Sequence, residues 1–284
     1  MQGRITKQIS NQYTVDVKNE LFVCNARGKF KNMGLSPVVG VIVEIDEVNK
    51  TIEKILPRKN KLNRPVVANV DTALIVTSVK KPDLSLSLLD KQLTIVISND
   101  IEPIIILTKL DLLDKQELKS IKKIIKYYEK LGIKVIPNTK LNKLKKLLKE
   151  KVVVLTGQTG AGKSSILNKL DKNLHLETKP ISEALNRGVH TTRHTELYKI
   201  NHMYMVDTPG FSALDLTDIS IDNLREAFKE FDKYTCAYKD CTHNNEKKCG
   251  VKEALEKELI LPSRYNNYIR FLKEIYESSS KLYK

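Results

Sequence analysis

The hydrophobic pattern of this chain changes its period along the length. Over about the first sixty residues, apolar and polar positions alternate in short runs: Arg4 to Ile9, Tyr13 to Val17, Leu21 to Ala26, Val38 to Ile45 and Thr51 to Leu56. Turn formers such as Asn19, Gly28, Gly34 and Asn49 separate them. Alternation bounded by turns marks half-buried strands, and five such strands predict a small closed barrel, of which the OB-fold is one kind. From Asn69 the pattern becomes strand–helix alternation. Asp71 to Val76, Ile104 to Leu107 and a run starting at Val135 read as strands, while Leu86 to Ile97 and Gln116 to Leu131 read as helices. This order predicts a parallel sheet with helices on both faces. Near the end, Tyr265 to Tyr276 reads as a helix flanked by Arg264 and Arg270, and the tail from Ser278 is expected to fray. The expected division is a barrel over 1–65, an α/β unit over 66–220 and a mostly helical unit over 221–284.

The strongest chemical signal lies in the middle unit. Val152 to Leu155 is a β-branched apolar run of the kind that forms a buried parallel strand. It leads into Gly157-Gln158-Thr159-Gly160-Ala161-Gly162-Lys163-Ser164-Ser165 and then into a helical pattern through Ile166, Leu167 and Leu170. This is G-x-x-x-x-G-K-[ST] in its strand–loop–helix setting, a phosphate-binding loop. Its backbone N–H groups would face a polyphosphate. Lys163 would reach the β- and γ-phosphates, and Ser164 would bind Mg²⁺.

A second motif, Thr108-Lys109-Leu110-Asp111, follows the apolar strand Ile104 to Leu107. It differs by one residue from N-K-x-D. A carboxylate there can accept both the N1–H and the 2-amino group of guanine, and adenine offers no such pair. Alone it is a weak match; beside a phosphate-binding loop it predicts GTP. A third motif, Asp207-Thr208-Pro209-Gly210, matches D-x-x-G, in which Asp207 would hold Mg²⁺ and Gly210 would sense the γ-phosphate. Phe211 stands where Ras-type enzymes carry a water-orienting Gln. The segment between loop and D-x-x-G contains His190 and Thr192. His190 is a candidate to place the attacking water, and it reads equally as a polar loop residue. A threonine of this segment would complete the Mg²⁺ shell.

The order of these motifs is unusual. T-K-x-D precedes the phosphate loop and D-x-x-G follows it, as expected if the ancestral termini were joined and the chain reopened elsewhere. The second switch then leads straight into the last unit. There Cys236, Cys241, His243 and Cys249 fall within fourteen residues. Clustered Cys and His in a reduced chain point to a structural Zn²⁺ with four protein ligands. Cys24, without ligand-spaced neighbours, reads as core.

Charge adds a partner class. Forty-nine Lys and Arg against 34 Asp and Glu give +15, which favours a polyanion such as RNA or an acidic membrane surface. Arg27, Lys29 and Lys31, then Arg58, Lys59, Lys61 and Arg64, fall at turns of the barrel region and its exit. They fit an RNA surface, and a solvated face equally. Nowhere do eighteen apolar residues run together, so neither a membrane span nor a secretory leader is expected, and the chain is expected in the cytoplasm, as a monomer.

These motifs together resemble the circularly permuted, small-ribosomal-subunit-dependent GTPases of the RsgA (YjeQ) family. The resemblance runs from Gly3-Arg4-Ile5 through Arg27-Gly28-Lys29-Phe30, the Arg58 to Pro65 exit and Ala68 to Asp71. It continues through the three nucleotide motifs, Gly188 to Thr192 and the Cys/His spacing. It implies an OB-fold, a permuted GTPase and a zinc domain. It also implies late assembly of the small ribosomal subunit through binding to that subunit and its rRNA, with GTP hydrolysis stimulated there. By position it implies Thr192 as the Mg²⁺ ligand and His190, with Lys163, in catalysis; a hydrophobic residue at Phe211 fits the family. Two places depart from it. Asn138-Thr139-Lys140 replaces a Ser-Ala-Lys-like loop behind the base, and Val38-Val39-Gly40-Val41 replaces a Val-Gly-Asp turn. Two other functions remain open on the residues alone: a nucleotide-gated RNA-binding module with negligible turnover, and an ATP-using phosphotransferase.

Overall fold

The computed structural model describes residues 1–32, 34–63, 66–171, 195–200, 202–206, 216 and 219–281. The period-two segments become β1 (Gln2–Ile9), β2 (Gln12–Val17), β3 (Glu20–Ala26), β4 (Ile42–Asp46) and β5 (Thr51–Ile55), with a one-turn helix α1 (Lys29–Asn32) after β3. They close in the order β1-β2-β3-β5-β4, with β3 parallel to β5 and the other pairs antiparallel. That is the expected OB-type barrel. Ile5, Val15, Val43 and Ile52 fill it and are fully buried, as is Cys24, whose thiol is pushed up by burial. The fourth strand starts at Ile42, later than the expected Val38. Val38 to Val41 is buried but turned. Gly40 sits at φ +91°, and a Cβ there would collide with the carbonyl of Ala68, so the segment bends to pack on the barrel exit. That exit is a small hairpin of β6 (Lys61–Asn63) and β7 (Val66–Ala68).

The central sheet comprises β8 (Thr72–Ser78), β9 (Glu102–Thr108), β10 (Lys134–Pro137), β11 (Val152–Gly157), β12 (Leu197–Ile200) and β13 (Met203–Val206). Its order is β10-β9-β8-β11-β13-β12, parallel except for the edge pair β12–β13. Side chains alternate across it. Ala73, Ile75, Ile105, Leu107 and Val154 face α2 (Leu86–Ile97) and α3 (Lys115–Lys130). Leu74, Val76, Ile104, Ile106 and Val153 face α4 (Leu141–Leu147) and α5 (Lys163–Leu170). Both faces are covered, hence the near-continuous apolar strands. Asp114 starts α3 with a reciprocal capping box to Glu117. The sequence pattern missed α4: with seven residues it is too short to show a period.

The C-terminal part contains α6 (Ile221–Ala227), α7 (Gly250–Glu256) and α8 (Pro262–Lys281). The last helix continues past Ser278, where fraying was expected, because Ile275 is buried and the Ser278 hydroxyl bonds back to its carbonyl at 2.8 Å. Among the described residues no helix is long and apolar enough to cross a membrane.

Two polar joints hold the units together. At the barrel, β1 meets the residue before β12 through a Lys7–Glu196 bridge with a 3.1 Å ion pair. Nearby, the Tyr204 hydroxyl donates to Asp16 at 2.9 Å, under the Arg4 guanidinium. At the other side, α8 packs on α2. Arg264, 1% exposed, donates to Asp90 of α2 at 2.9 Å and to Glu230 at 2.7 Å, with its guanidinium over Phe228. Tyr128 and Asn267 also donate to Asp90. Burial pulls the Arg264 pKa down, but the two carboxylates outweigh it and hold it above its ordinary value.

Candidate functional site

The nucleotide site is built at the C-terminal ends of β9, β10 and β11, where open α/β sheets place their ligands. Gly157 ends β11 at φ +139°, and a Cβ there would collide with the carbonyl oxygen of Val76 on the neighbouring strand. The loop then turns through Gly160 (φ +76°) and Gly162 (φ +95°), which caps α5 without a side chain. An uncapped helix start with no Cβ in the way is an anion site. Lys163 folds back over the loop, donating to the carbonyls of Gly157 at 2.8 Å and Gln158 at 2.9 Å. Burial holds its ammonium below the ordinary lysine pKa. Thr159, Gly160 and Ser165 are exposed on the loop and first turn, Ser164 is half-buried, and Ala161 is buried.

The T-K-x-D strand end grips this loop, although it lies some fifty residues earlier in the sequence. The Thr108 hydroxyl donates to the Ala161 carbonyl at 2.7 Å. Lys109, at φ +61°, reaches across to the Gly160 carbonyl at 2.9 Å and to the carbonyl of Lys81. Leu110 and Asp111 start a short 3₁₀ turn, with Asp111 exposed. Asn138 follows β10 and donates its N–H to the Leu107 carbonyl at 2.8 Å, so the Asn138–Lys140 loop sits beside the same strand end. From below, Gln92 of α2 donates to the Thr156 hydroxyl at 3.0 Å, one residue before the loop. Sequence reasoning did not find Gln92, Asp90 or Glu230. For Asp90 and Gln92 the signal was available, since both are polar residues on the apolar face of α2.

His190, Thr192, Asp207, Gly210 and Phe211 lie outside the described residues, as does Arg64. The flanking strands are described: β12 begins shortly after the first segment and β13 ends at Val206, next to Asp207. Strand β13 pairs with β11.

In the C-terminal unit, the four expected ligands converge. The donor atoms of Cys236, Cys241, His243 and Cys249 lie within 4.8 Å of one another, a cluster that could hold a metal ion. Cys236 Sγ is 3.5 Å from His243 Nδ1 and 3.8 Å from Cys249 Sγ, and Cys249 Sγ is 3.4 Å from the same nitrogen. The His243 ring is edge-on to Phe231, and its carbonyl accepts from the Tyr265 hydroxyl at 2.7 Å. Glu246 ties the intervening loop together by accepting from Thr242 and Asn244.

Comparison with known proteins places this geometry in a family. The profile described as RsgA GTPase matches residues 55–217, and the one described as RsgA N-terminal domain matches residues 2–53. The chain belongs to the RsgA GTPase family. Its relatives include the small ribosomal subunit biogenesis GTPase RsgA 2 of Oceanobacillus iheyensis, 45% identical over 96% of this chain and 97% of that one. The RsgA of Halalkalibacterium halodurans is 43% identical over 96% of each. Among solved structures, YjeQ from Thermotoga maritima superposes with a TM-score of 0.81 at 35% identity, covering 97% of this chain and 98% of that one. YloQ, described as a circularly permuted GTPase, gives 0.80 at 31% identity, covering 97% and 95%. The RsgA fold thus explains the reversed motif order: β8 to β10 come first in sequence but occupy one side of the sheet, beside the β11 phosphate loop.

Proposed function

We propose that this GTPase acts in biogenesis of the small ribosomal subunit, binding the subunit and its rRNA, with GTP turnover slow alone and faster on the subunit. The observation that carries the nucleotide part is the pair of bonds from Thr108 and Lys109 to the phosphate loop, which sets a base-reading strand end beside a triphosphate cradle. The ribosomal part rests on the names of the relatives and on a +15 chain that suits RNA. Asp111 reads guanine, and the loop from Gly157 to Ser165 holds the phosphates. Ser164, Thr192 and Asp207 would hold Mg²⁺, which when bound would supply charge neutralisation. Lys163 and Thr192 support the transfer and His190 places the water. Units near 1–65, 66–220 and 221–284 serve as RNA barrel, GTPase and metal domain of a cytoplasmic monomer.

The metal is zinc in this reading. Tetrahedral Zn²⁺ with Zn–S of about 2.3 Å and Zn–N of about 2.0–2.1 Å requires S···S edges of about 3.8 Å and S···N edges of about 3.6 Å. The separations among Cys236, His243 and Cys249, 3.8 Å and 3.4–3.5 Å, fit, and Cys241 lies within 4.8 Å of each of them. Four protein donors leave no open position, so the ion is structural.

The test is steady-state phosphate release from GTP and from ATP, each with and without purified small subunits. GTP-specific turnover that rises many-fold with subunits supports the proposal; a rate indifferent to subunits removes the ribosomal part and leaves the nucleotide site.

A further inference from the structure

The strand pair β12–β13 stands between the two segments expected to respond to nucleotide. Thr192 lies five positions before Leu197, where β12 begins, and Asp207 directly follows Val206, where β13 ends. This pair is lightly held to the sheet. Among the described residues β13 pairs with β11 at Val152–Tyr204 and Val153–Met205, whereas β8 runs along the same strand from Val153–Thr72 to Gly157–Val76. Strand β12 is the edge of the sheet and pairs with β13. Elements that move in a switch are drawn from such sparsely held regions.

The barrel supplies support that the sheet does not. Lys7 of β1 meets Glu196, the residue before β12, through a backbone bridge and a 3.1 Å ion pair. From β13, the half-buried Tyr204 donates its hydroxyl to Asp16 of β2 at 2.9 Å, and Asp16 is only 7% exposed. Arg4 of β1 and Lys199 of β12 each stand 5.3 Å from the centre of the Tyr204 ring, and Lys199 also donates to Asn19 at the end of β2. Burial and the Asp16 carboxylate push the Tyr204 hydroxyl up to about 12, so it remains a donor at neutral pH. The other Asp16 oxygen accepts from the Asn19 N–H at 2.8 Å. Drawing β13 away from the barrel would leave a buried carboxylate oxygen without its donor, which is costly. A shift of β13 therefore carries the barrel with it or strains that bond.

We propose that Tyr204 couples the barrel to the nucleotide site: by holding β13 to Asp16 it sets the place of Asp207, three residues on, so that nucleotide state and barrel placement constrain each other. The coupling rests on the nucleotide reading above, in which Asp207 belongs to the site. Tyr204 is a positioning residue, acting through the strand it sits on. Such coupling is reciprocal. What GTP does to the barrel, a partner seated on the barrel does to the nucleotide site.

Hydrogen–deuterium exchange on the full chain tests it, with no nucleotide, with GDP, and with a non-hydrolysable GTP analogue and Mg²⁺. In wild-type protein, exchange across Gln2–Val17 should differ by about fivefold or more between GDP and the analogue. Tyr204→Phe removes the hydroxyl and strands Asp16, so its melting temperature should fall. Adding Asp16→Asn removes the stranded charge and should recover stability while the link stays broken; this double variant carries the test if the single one fails to fold. In the variants the barrel should exchange alike with GDP and analogue, while peptides over Gly157–Leu170 stay protected by both. A merely structural contact would lower stability and leave the barrel's response to nucleotide as in wild type, and that result overturns the proposal. So does a wild-type barrel indifferent to nucleotide while the Gly157–Leu170 peptides are protected; the nucleotide reading then stands. If neither nucleotide protects those peptides, the nucleotide reading fails and the coupling falls with it.

Discussion

The Thr108 hydroxyl donates to the Ala161 carbonyl at 2.7 Å, so the strand end expected to read the base also fixes the loop expected to hold the phosphates. Thr108→Val keeps the volume and removes the bond, leaving a carbonyl in the loop without its donor. Losing such a bond costs about 1–2 kcal/mol, so affinity for a fluorescent GDP analogue should fall about tenfold, while Thr108→Ser should stay near wild type. Equal affinity in all three would show that the loop holds its shape unaided.

Asp111 is exposed at the start of its 3₁₀ turn, free to meet a base. Asp111→Asn replaces an acceptor of two N–H bonds by a mixed donor–acceptor, which suits xanthine. GTP binding should weaken by at least about tenfold and xanthosine triphosphate should gain. Competition titrations with GTP, ATP and xanthosine triphosphate check it; an unchanged preference would remove the guanine assignment.

The Cys3His cluster predicts one Zn²⁺ per chain by elemental analysis. Cys249 is buried and immediately precedes α7, so Cys249→Ser should lose the ion and lower the melting temperature of the C-terminal unit. The nucleotide site stands on the central sheet, and GDP binding should survive. Full zinc content in the variant would mean that the fourth donor is another group.

Arg264 joins Asp90 of α2 to Glu230 with almost no exposure. Removing one member of a buried ion network leaves the others uncompensated, at a cost of about 3–5 kcal/mol. Arg264→Ala should therefore be strongly destabilising in urea unfolding. Adding Asp90→Asn and Glu230→Gln should recover part of the loss, because both stranded charges are then gone. Additive damage in the triple variant would mean that packing of the guanidinium over Phe228 carries the effect.

Elements were legible in the sequence wherever one short pattern sufficed. The barrel strands showed their period of two, α2 was bounded at Leu86 and Ile97 by its own apolar face, and the phosphate loop and the Cys/His spacing are local in the chain. The misses share a cause. Val38 to Val41 is apolar enough for a strand, but a close approach to Ala68 bends it; α4 is too short to show periodicity; and α8 continues to Lys281 because a buried Ile275 supports its last turns.

What the sequence determined by itself is therefore everything carried by neighbouring residues: the element types, the glycines that a cradle requires, and ligands spaced closely enough to meet. What only the tertiary structure decided is which distant groups share a site. Thr108 and Ala161 are 53 positions apart, and Asp90 and Arg264 are 174 apart. Such pairs leave no mark on local periodicity, because their meeting depends on the strand order of the sheet and on how α8 packs against α2.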